Sequence, residues 1–90
     1  MTDRSRSIVK EFIDRLCKSE RVAYLIARWQ EEREHEDINE YRPHLQREAP
    51  DGVEITGMTK RPFGCRFSID AERFVLKLFA NGRVRVEVSR

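Results

Sequence analysis

The 90 residues include 18 lysines and arginines against 16 aspartates and glutamates, so the net charge is only +2 although 38% of the side chains are charged. This length suits one domain with a small core, and the balanced charge does not by itself indicate a nucleic-acid partner. The charge is unevenly distributed, because residues 31–48 are acidic and lie between two basic ends.

Two amphipathic helices are predicted in the first part of the chain. An apolar stripe recurs at helical spacing over residues 4–17, with Ser5 or Ser7 available as its N-cap. The stripe that follows would lie almost opposite the first one on a continuous helix. We therefore predict a break, with Ser19 capping a second helix that runs to about Asp37. One helix through both stripes is the alternative.

The acidic segment 31–40, EEREHEDINE, contains one apolar residue and is predicted to be the solvated end of the second helix or a projecting turn. Glu31, Glu32 and His35 could share a helix face, as in carboxylate-bridged metal sites. Those sites need the Glu-x-x-His motif twice, and it occurs once here. The sequence therefore predicts no metal site and no cofactor.

A cluster of turn-forming residues, Ala49-Pro50-Asp51-Gly52, separates the two halves of the chain. Residues 1–90 are interpreted as a single domain with a helical half, 1–48, and an antiparallel sheet half, 49–90.

The clearest local signal is Asn81-Gly82, which is typical of a β-hairpin turn. A three-residue loop, Ala80 to Gly82, with Gly82 in the left-handed conformation gives the hairpin one apolar face. The pairs predicted in this register are Phe74 with Val88, Leu76 with Val86, and Leu78 with Val84.

Two further strands are predicted upstream by the same reasoning. A four-residue turn, Asp70 to Arg73, would pair Ile69 with Phe74, Phe67 with Leu76 and Cys65 with Leu78. A three-residue turn, Thr59 to Arg61, would pair Ile55 with Cys65 and Val53 with Phe67. The predicted fold is α+β, with two N-terminal helices packed on one face of a four-stranded antiparallel β-meander. Its apolar face contains Val53, Ile55, Phe63, Cys65, Phe67, Ile69, Phe74, Leu76, Leu78, Val84, Val86 and Val88.

The opposite face of this sheet is the candidate binding site. The predicted register places Glu54, Arg66, Lys77 and Arg85 in one row, so that three cations are adjacent. Like charges opposite one another destabilise a sheet, and such a row favours an anionic partner. The predicted partner-binding residues are Arg66, Lys77, Phe79, Arg83, Arg85 and Val75, with Phe79 and Val75 adding apolar surface beside the cations. An ordinary solvated face is the simpler interpretation.

Functional signatures of enzymes are missing from the sequence, which has no phosphate-binding glycine loop, dinucleotide fingerprint, HExxH, CxxC or GxSxG. We therefore predict a small, non-catalytic, cytoplasmic protein-binding module. Its size is typical of a regulator or inhibitor that occupies a partner's surface, of the kind encoded by phages and mobile elements. The alternative is a nucleic-acid-binding module that uses the basic, aromatic-bearing sheet face.

A domain of this size is also expected to be able to self-associate, for example by contact between the acidic segment of one copy and the basic face of another. No membrane partner is expected, since no apolar run approaches the roughly 20 residues of a span. Both cysteines, Cys17 and Cys65, fall on predicted apolar faces and are expected to be buried and reduced.

Overall fold

The helical half contains three α-helices where two were predicted. A computed structural model describes residues 2–31, 36–79 and 82–89. Its helices are α1 (Asp3–Lys18), α2 (Glu20–Gln30) and α3 (Arg42–Glu48), with a single turn of 3-10 helix at Ile38–Tyr41 before α3. The predicted α+β class is confirmed, because an open antiparallel sheet follows these helices.

The sheet is a simple meander. Its strands are β1 (Glu54–Thr59), β2 (Gly64–Ile69), β3 (Glu72–Leu78) and β4 (Val84–Val88). They lie in the order β1-β2-β3-β4, and each pair of neighbours is antiparallel. Both edges of the sheet are therefore formed by the first and last strands in the sequence.

The predicted break between α1 and α2 is confirmed at Ser19, whose hydroxyl accepts a hydrogen bond from the backbone N–H of Val22 at 3.2 Å. The predicted N-cap of α1 is wrong. Thr2 caps this helix by accepting from the N–H of Ser5 at 3.0 Å, and Ser5 itself is buried. A serine inside the first turn is free to bond elsewhere once the residue before the helix takes the cap.

The end of α2 was also predicted wrongly, since this helix stops at Gln30 and not near Asp37. Ile38 and Tyr41 are buried, and bringing them to the core requires the chain to turn back. Glu36 is not simply solvated, because its carboxylate accepts from Arg28 Nη2 at 2.9 Å and from the Tyr41 hydroxyl at 2.8 Å. Residues 32–35 of the acidic segment, including Glu32 and His35, lie outside the described residues.

The register of the β3–β4 hairpin is confirmed. Leu78 pairs with Val84, and Gly82 has a φ of +81°, as a bulged three-residue loop requires. The other predicted pairs, Phe74 with Val88 and Leu76 with Val86, are observed as well. Ala80 and Asn81 lie outside the described residues.

The register between β2 and β3 was predicted wrongly by two residues. The turn contains only Asp70 and Ala71, both with positive φ (48° and 70°), which is the geometry that matches the twist of a two-residue hairpin. The observed pairs are Phe67 with Phe74 and Cys65 with Leu76, and not Phe67 with Leu76, Cys65 with Leu78 or Ile69 with Phe74. Because the shift is even, every side chain keeps its predicted face.

The β1–β2 register was wrong as well. The connection from β1 to β2 is longer than predicted and a bulge lies between Ile55 and Gly57, so Ile55 pairs with Phe67 in place of the predicted Cys65, and Phe67 does not pair with Val53. The connection runs from residue 60 to 63 and includes a cis Arg61–Pro62 peptide bond. An extra residue in one strand displaces all the pairs that follow it, which alternation alone does not reveal.

All three helices pack against one face of the sheet. Phe12 of α1 meets Phe67 of β2 edge to face, with 5.2 Å between the ring centroids, and Phe67 stacks on Phe74 of β3. The predicted apolar face is buried in β1, β2 and β3. It is less well covered in β4, where Val84 and Val86 are half-buried and Val88 is 50% exposed.

The described helices are too short or too polar to cross a membrane.

Candidate binding face of the sheet

No helix among the described residues covers the face of the sheet opposite α1, α2 and α3. Alternation along the strands directs Arg66, Arg73 and Lys77 to this outer face while their neighbours enter the core. On β4 the same alternation directs Arg85 and Glu87 outward. The outer face of the described strands therefore consists of polar, charged and aliphatic side chains that have no covering layer.

The predicted row of cations is only partly assembled. Lys77 lies directly opposite Arg85, as predicted. Arg66 lies opposite Val75 and not Lys77, because the short Asp70-Ala71 turn moves β3 by two residues relative to β2. The strand pairing also places Glu54 opposite Ser68 and not Arg66, which corrects the rest of the row.

Glu87 bridges the two cations that do meet. Its carboxylate lies 3.4 Å from Lys77 Nζ and 3.1 Å from Arg85 Nε. A carboxylate between two like charges lowers their mutual repulsion, so this pair does not require an external anion. The predicted reason for an anionic partner at Lys77 and Arg85 is therefore weaker than the sequence indicated.

Phe79 follows the last residue of β3 and is half-buried. Its backbone N–H donates to the carbonyl of Arg83 at 2.9 Å, which closes the base of the hairpin loop. Phe79 lines a shallow pocket of about 380 Å³ with Arg83, Val84 and Arg85. It also lines a smaller apolar pocket with side chains of α1 and α2, including Leu16 and Ile26. Because Phe79 is half-buried and borders this pocket beside the helices, it is not a freely presented stacking platform.

A larger groove lies on the outer face around two arginines. It has a volume of about 710 Å³, and its polar lining includes Arg66, Arg73 and the hydroxyl residues Thr56, Ser68 and Ser89. Arg73 is opposite Ser68 while Arg66 is opposite Val75, so the two arginines are diagonal neighbours on adjacent strands.

Both arginines of this groove are exposed, and neither makes an ion pair with any carboxylate in the part of the chain that the structure describes. The Thr56 hydroxyl donates to the carbonyl of Arg66 at 3.3 Å and holds the bulged edge of β1 against β2. The groove therefore offers two guanidinium groups and the hydroxyls of Ser68 and Ser89 as hydrogen-bond donors to a ligand.

Arg73 was missed at the sequence level, because the predicted turn from Asp70 to Arg73 placed it outside the strand. It is the second residue of β3, and it continues the outward alternation of Val75 and Lys77. That alternation was the signal that could have identified it.

The outer face has an excess of positive charge. Five cationic side chains are directed to this side, against two carboxylates. The cations are Arg66, Arg73, Lys77, Arg83 and Arg85, and the carboxylates are Glu54 and Glu87. Such a surface attracts anionic groups even though two of its cations, Lys77 and Arg85, are paired with Glu87.

The two cysteines do not extend this site. Burial raises the pKa of the Cys65 thiol to about 12, so this thiol is protonated at neutral pH and is a poor nucleophile. Cys17 is exposed, which corrects the expectation that both cysteines are buried. Within residues 2–31, 36–79 and 82–89, no three His, Cys, Asp or Glu side chains are grouped so that they could hold a metal ion.

Comparisons of the chain with protein-family models, with curated proteins and with solved structures found no match.

Proposed function

We propose that this protein is a small, non-catalytic, cytoplasmic binding module whose outer sheet face docks on an acidic surface of a partner protein. By occupying that surface it would act as a regulator or inhibitor. The observation that carries the proposal is the pair of exposed, diagonally adjacent arginines, Arg66 and Arg73, that have no carboxylate partner among the described residues.

Arginine suits this role because its planar guanidinium can bind a carboxylate through two parallel hydrogen bonds. The hydroxyls of Ser68 and Ser89 line the same groove and can donate to the carboxylates of an acidic peptide or loop, whereas the Thr56 hydroxyl, which already donates to the Arg66 carbonyl, can only accept. The half-buried Val75 beside Arg66 supplies apolar contact at the centre of this polar surface. A mixture of this kind is typical of the contact region of a transient protein complex.

A protein partner is favoured over single-stranded nucleic acid by the lack of a stacking surface. Sheets that bind single strands present aromatic rings on which successive bases stack. The outward residues of the four described strands include no aromatic side chain. Phe79 lies beyond the end of β3 and is half-buried, so it cannot supply a central platform.

The proposal is tested by affinity capture from the native cell extract with the wild-type chain and with Arg66→Glu and Arg73→Glu. We expect the wild-type chain to capture one or more acidic proteins and both variants to lose them. Lys10→Glu is the matched control, because it makes the same change of charge at an exposed position on α1, in the helical layer. If both arginine variants capture the same proteins as the wild type, the outer face is not the binding surface.

A second measurement addresses the competing function directly. Fluorescently labelled single-stranded DNA and RNA oligonucleotides are titrated with the chain at several salt concentrations. Binding that weakens steeply with salt and is lost in Arg66→Glu would favour the nucleic-acid module. We expect no such binding at physiological salt.

A further inference from the structure

The two edges of the sheet are protected to different extents. On β1, the Gln46 side chain of α3 donates to the carbonyl of Val53 at 3.0 Å and accepts from the N–H of Ile55 at 2.9 Å. This amide therefore occupies the place of a neighbouring strand. No helix or side chain in the described part of the chain bonds in this way to β4. An uncovered strand edge is a template for pairing with another chain.

Two backbone hydrogen bonds at the ends of the β3–β4 pairing show in which direction each backbone group of β4 points. Phe79 N–H donates to the Arg83 carbonyl at 2.9 Å, and Ser89 N–H donates to the Arg73 carbonyl at 2.8 Å. Since bonding alternates along an antiparallel pair, the odd-numbered residues of β4 face β3. The backbone groups of the even-numbered residues, Val84, Val86 and Val88, point out from the open edge.

We propose that a second copy of this chain pairs with β4 along this edge, antiparallel and with Val86 on the two-fold axis. In this register Val86 lies opposite Val86 of the second copy, and Val84 lies opposite Val88. All three outward-pointing residues of each copy then form both of their backbone hydrogen bonds. The interface is isologous, as expected for a symmetric dimer.

Charge complementarity selects this register. With Val86 on the axis, Arg85 of each copy lies opposite Glu87 of the other on the outer face. These are non-hydrogen-bonded positions, at which facing side chains approach most closely. The sequence Val-Arg-Val-Glu-Val is therefore complementary to itself when it is reversed.

The neighbouring registers are unfavourable. Moving the axis to Arg85 or Glu87 places two like charges directly opposite each other, which destabilises a sheet. If the axis lay between two residues, each even-numbered residue would lie opposite an odd-numbered one. An outward-pointing backbone group would then meet a backbone group that already bonds to β3. Among the registers centred on residues 85 to 87, only the one centred on Val86 satisfies both the backbone and the charges.

The inner face of β4 supplies apolar surface for the same contact. Burial declines from β3, where Phe74, Leu76 and Leu78 are at most 4% exposed, to β4, where Val88 is 50% exposed. A two-fold axis perpendicular to the sheet keeps the helical layers of both copies on one side. Val88 then meets Val84 of the second copy, and both lose exposed apolar surface.

The dimer would form one continuous eight-stranded sheet. Both outer faces would point to the same side, so the arginine grooves of the two copies could engage one partner together. Dimerisation does not depend on the function proposed above, because the residues of the edge and of the groove are different and each can be tested alone.

Sedimentation equilibrium of the wild-type chain tests the proposal first, and we expect a species of twice the 10.7 kDa chain mass. Arg85→Glu alone and Glu87→Arg alone each place like charges across the axis, and each should raise the dimer dissociation constant about tenfold. An equimolar mixture of the two variants should restore the dimer as a heterodimer, because each cation then faces a carboxylate. The double variant should also restore it.

Arg66→Glu is the control for these variants, since it reverses the charge of an outward residue on β2 and should leave the dimer unchanged. Circular dichroism establishes that each variant is folded. In the dimer, the amide protons of Val84, Val86 and Val88 should exchange more slowly with solvent than at low protein concentration. A monomer at every concentration, or a dimer that is insensitive to both single reversals, would overturn the proposal.

Discussion

The side-chain amide of Gln46 donates to the backbone carbonyl of Val53 at 3.0 Å, so a residue of α3 continues the hydrogen-bonding pattern of the sheet beyond β1. Its carbonyl oxygen also accepts from the N–H of Ile55. One glutamine thus joins the helical half to the sheet half and also blocks an edge that could pair with another chain. This contact helps to hold α3 beside β1, together with the burial of Leu45.

Gln46→Ala is expected to destabilise the protein by about 1–3 kcal/mol, because two backbone groups that are partly buried lose their partners. Urea denaturation followed by circular dichroism measures the change. Arg47→Ala is the matched control, since Arg47 is exposed on the same short helix. This substitution should lower the free energy of unfolding by much less. Equal losses in the two variants would mean that the Gln46 contacts contribute little to stability.

Ser5 is buried on α1, and its hydroxyl donates to Glu72 of β3 at 3.0 Å while it accepts from the Thr2 hydroxyl at 2.9 Å. We expect Ser5→Ala to lower the free energy of unfolding by about 1–2 kcal/mol, because the half-buried Glu72 loses a donor. Ser7→Ala makes the same chemical change at an exposed position of the same helix. Thermal denaturation of both variants should show a lower melting temperature for Ser5→Ala only.

Gly64 begins β2 at a close approach to β3. A Cβ atom at this position would lie 1.9 Å from the carbonyl oxygen of Leu76, so Gly64→Ala requires the two strands to separate. The expected cost is about 1–3 kcal/mol, as for other substitutions that overpack a well-packed site. Gly57→Ala on β1 is the control, because a Cβ there meets no atom within 4 Å. Chemical denaturation should distinguish the two alanine variants clearly.

Much of the fold was predictable because alternation in the strands and helical spacing in α1 and α2 both reflect a single buried face. The β3–β4 register was predicted correctly because the dipeptide Asn81-Gly82 indicates the position of the turn. The β2–β3 turn contains no glycine. Asp70 belongs to a residue type that tolerates positive φ, but Ala71 adopts it without a sequence signal that would indicate it. The bulge after Ile55 likewise depends on contacts that are not local.

The candidate site was less predictable than the fold, because it depends on which residues face one another across strands. A register error of two residues leaves every side chain on its predicted face, but it changes which residues of adjacent strands lie opposite each other. For this reason the outward direction of Arg66 and Lys77 was predicted correctly, whereas their adjacency was not. The groove around Arg66 and Arg73 required the observed two-residue turn.

The buried thiol of Cys65 makes stability sensitive to alkaline pH. Burial raises its pKa from an ordinary value of 9.0 to about 12, so the thiolate forms more readily in the unfolded chain. The protonated thiol therefore favours the folded state fully below about pH 9, and this contribution is lost as the pH rises towards 12. The slope is at most about 1.4 kcal/mol per pH unit.

This pH dependence is isolated by measuring the free energy of unfolding of the wild type and of Cys65→Ala between pH 8 and pH 11, roughly the range over which a thiol of ordinary pKa ionises. The difference between the two proteins should narrow as the pH rises. Cys17→Ala is the matched control and should retain the wild-type slope, because it leaves the buried thiol of Cys65 in place. A constant difference between wild type and Cys65→Ala would contradict the assignment.

The turn between β2 and β3 is expected to be a place where the protein can be stabilised. Asp70 and Ala71 have φ values of 48° and 70°, a region in which a Cβ atom is unfavourable and glycine is not. Ala71→Gly creates the Asp-Gly pair that this turn prefers and should raise the free energy of unfolding by about 0.5–1 kcal/mol. Ala27→Gly, at an exposed position within α2, should lower it by a similar amount, because glycine is a poor helix former. Urea denaturation should therefore show that the same substitution raises the free energy of unfolding at Ala71 and lowers it at Ala27. A loss of stability in both variants would show that the left-handed turn does not strain Ala71.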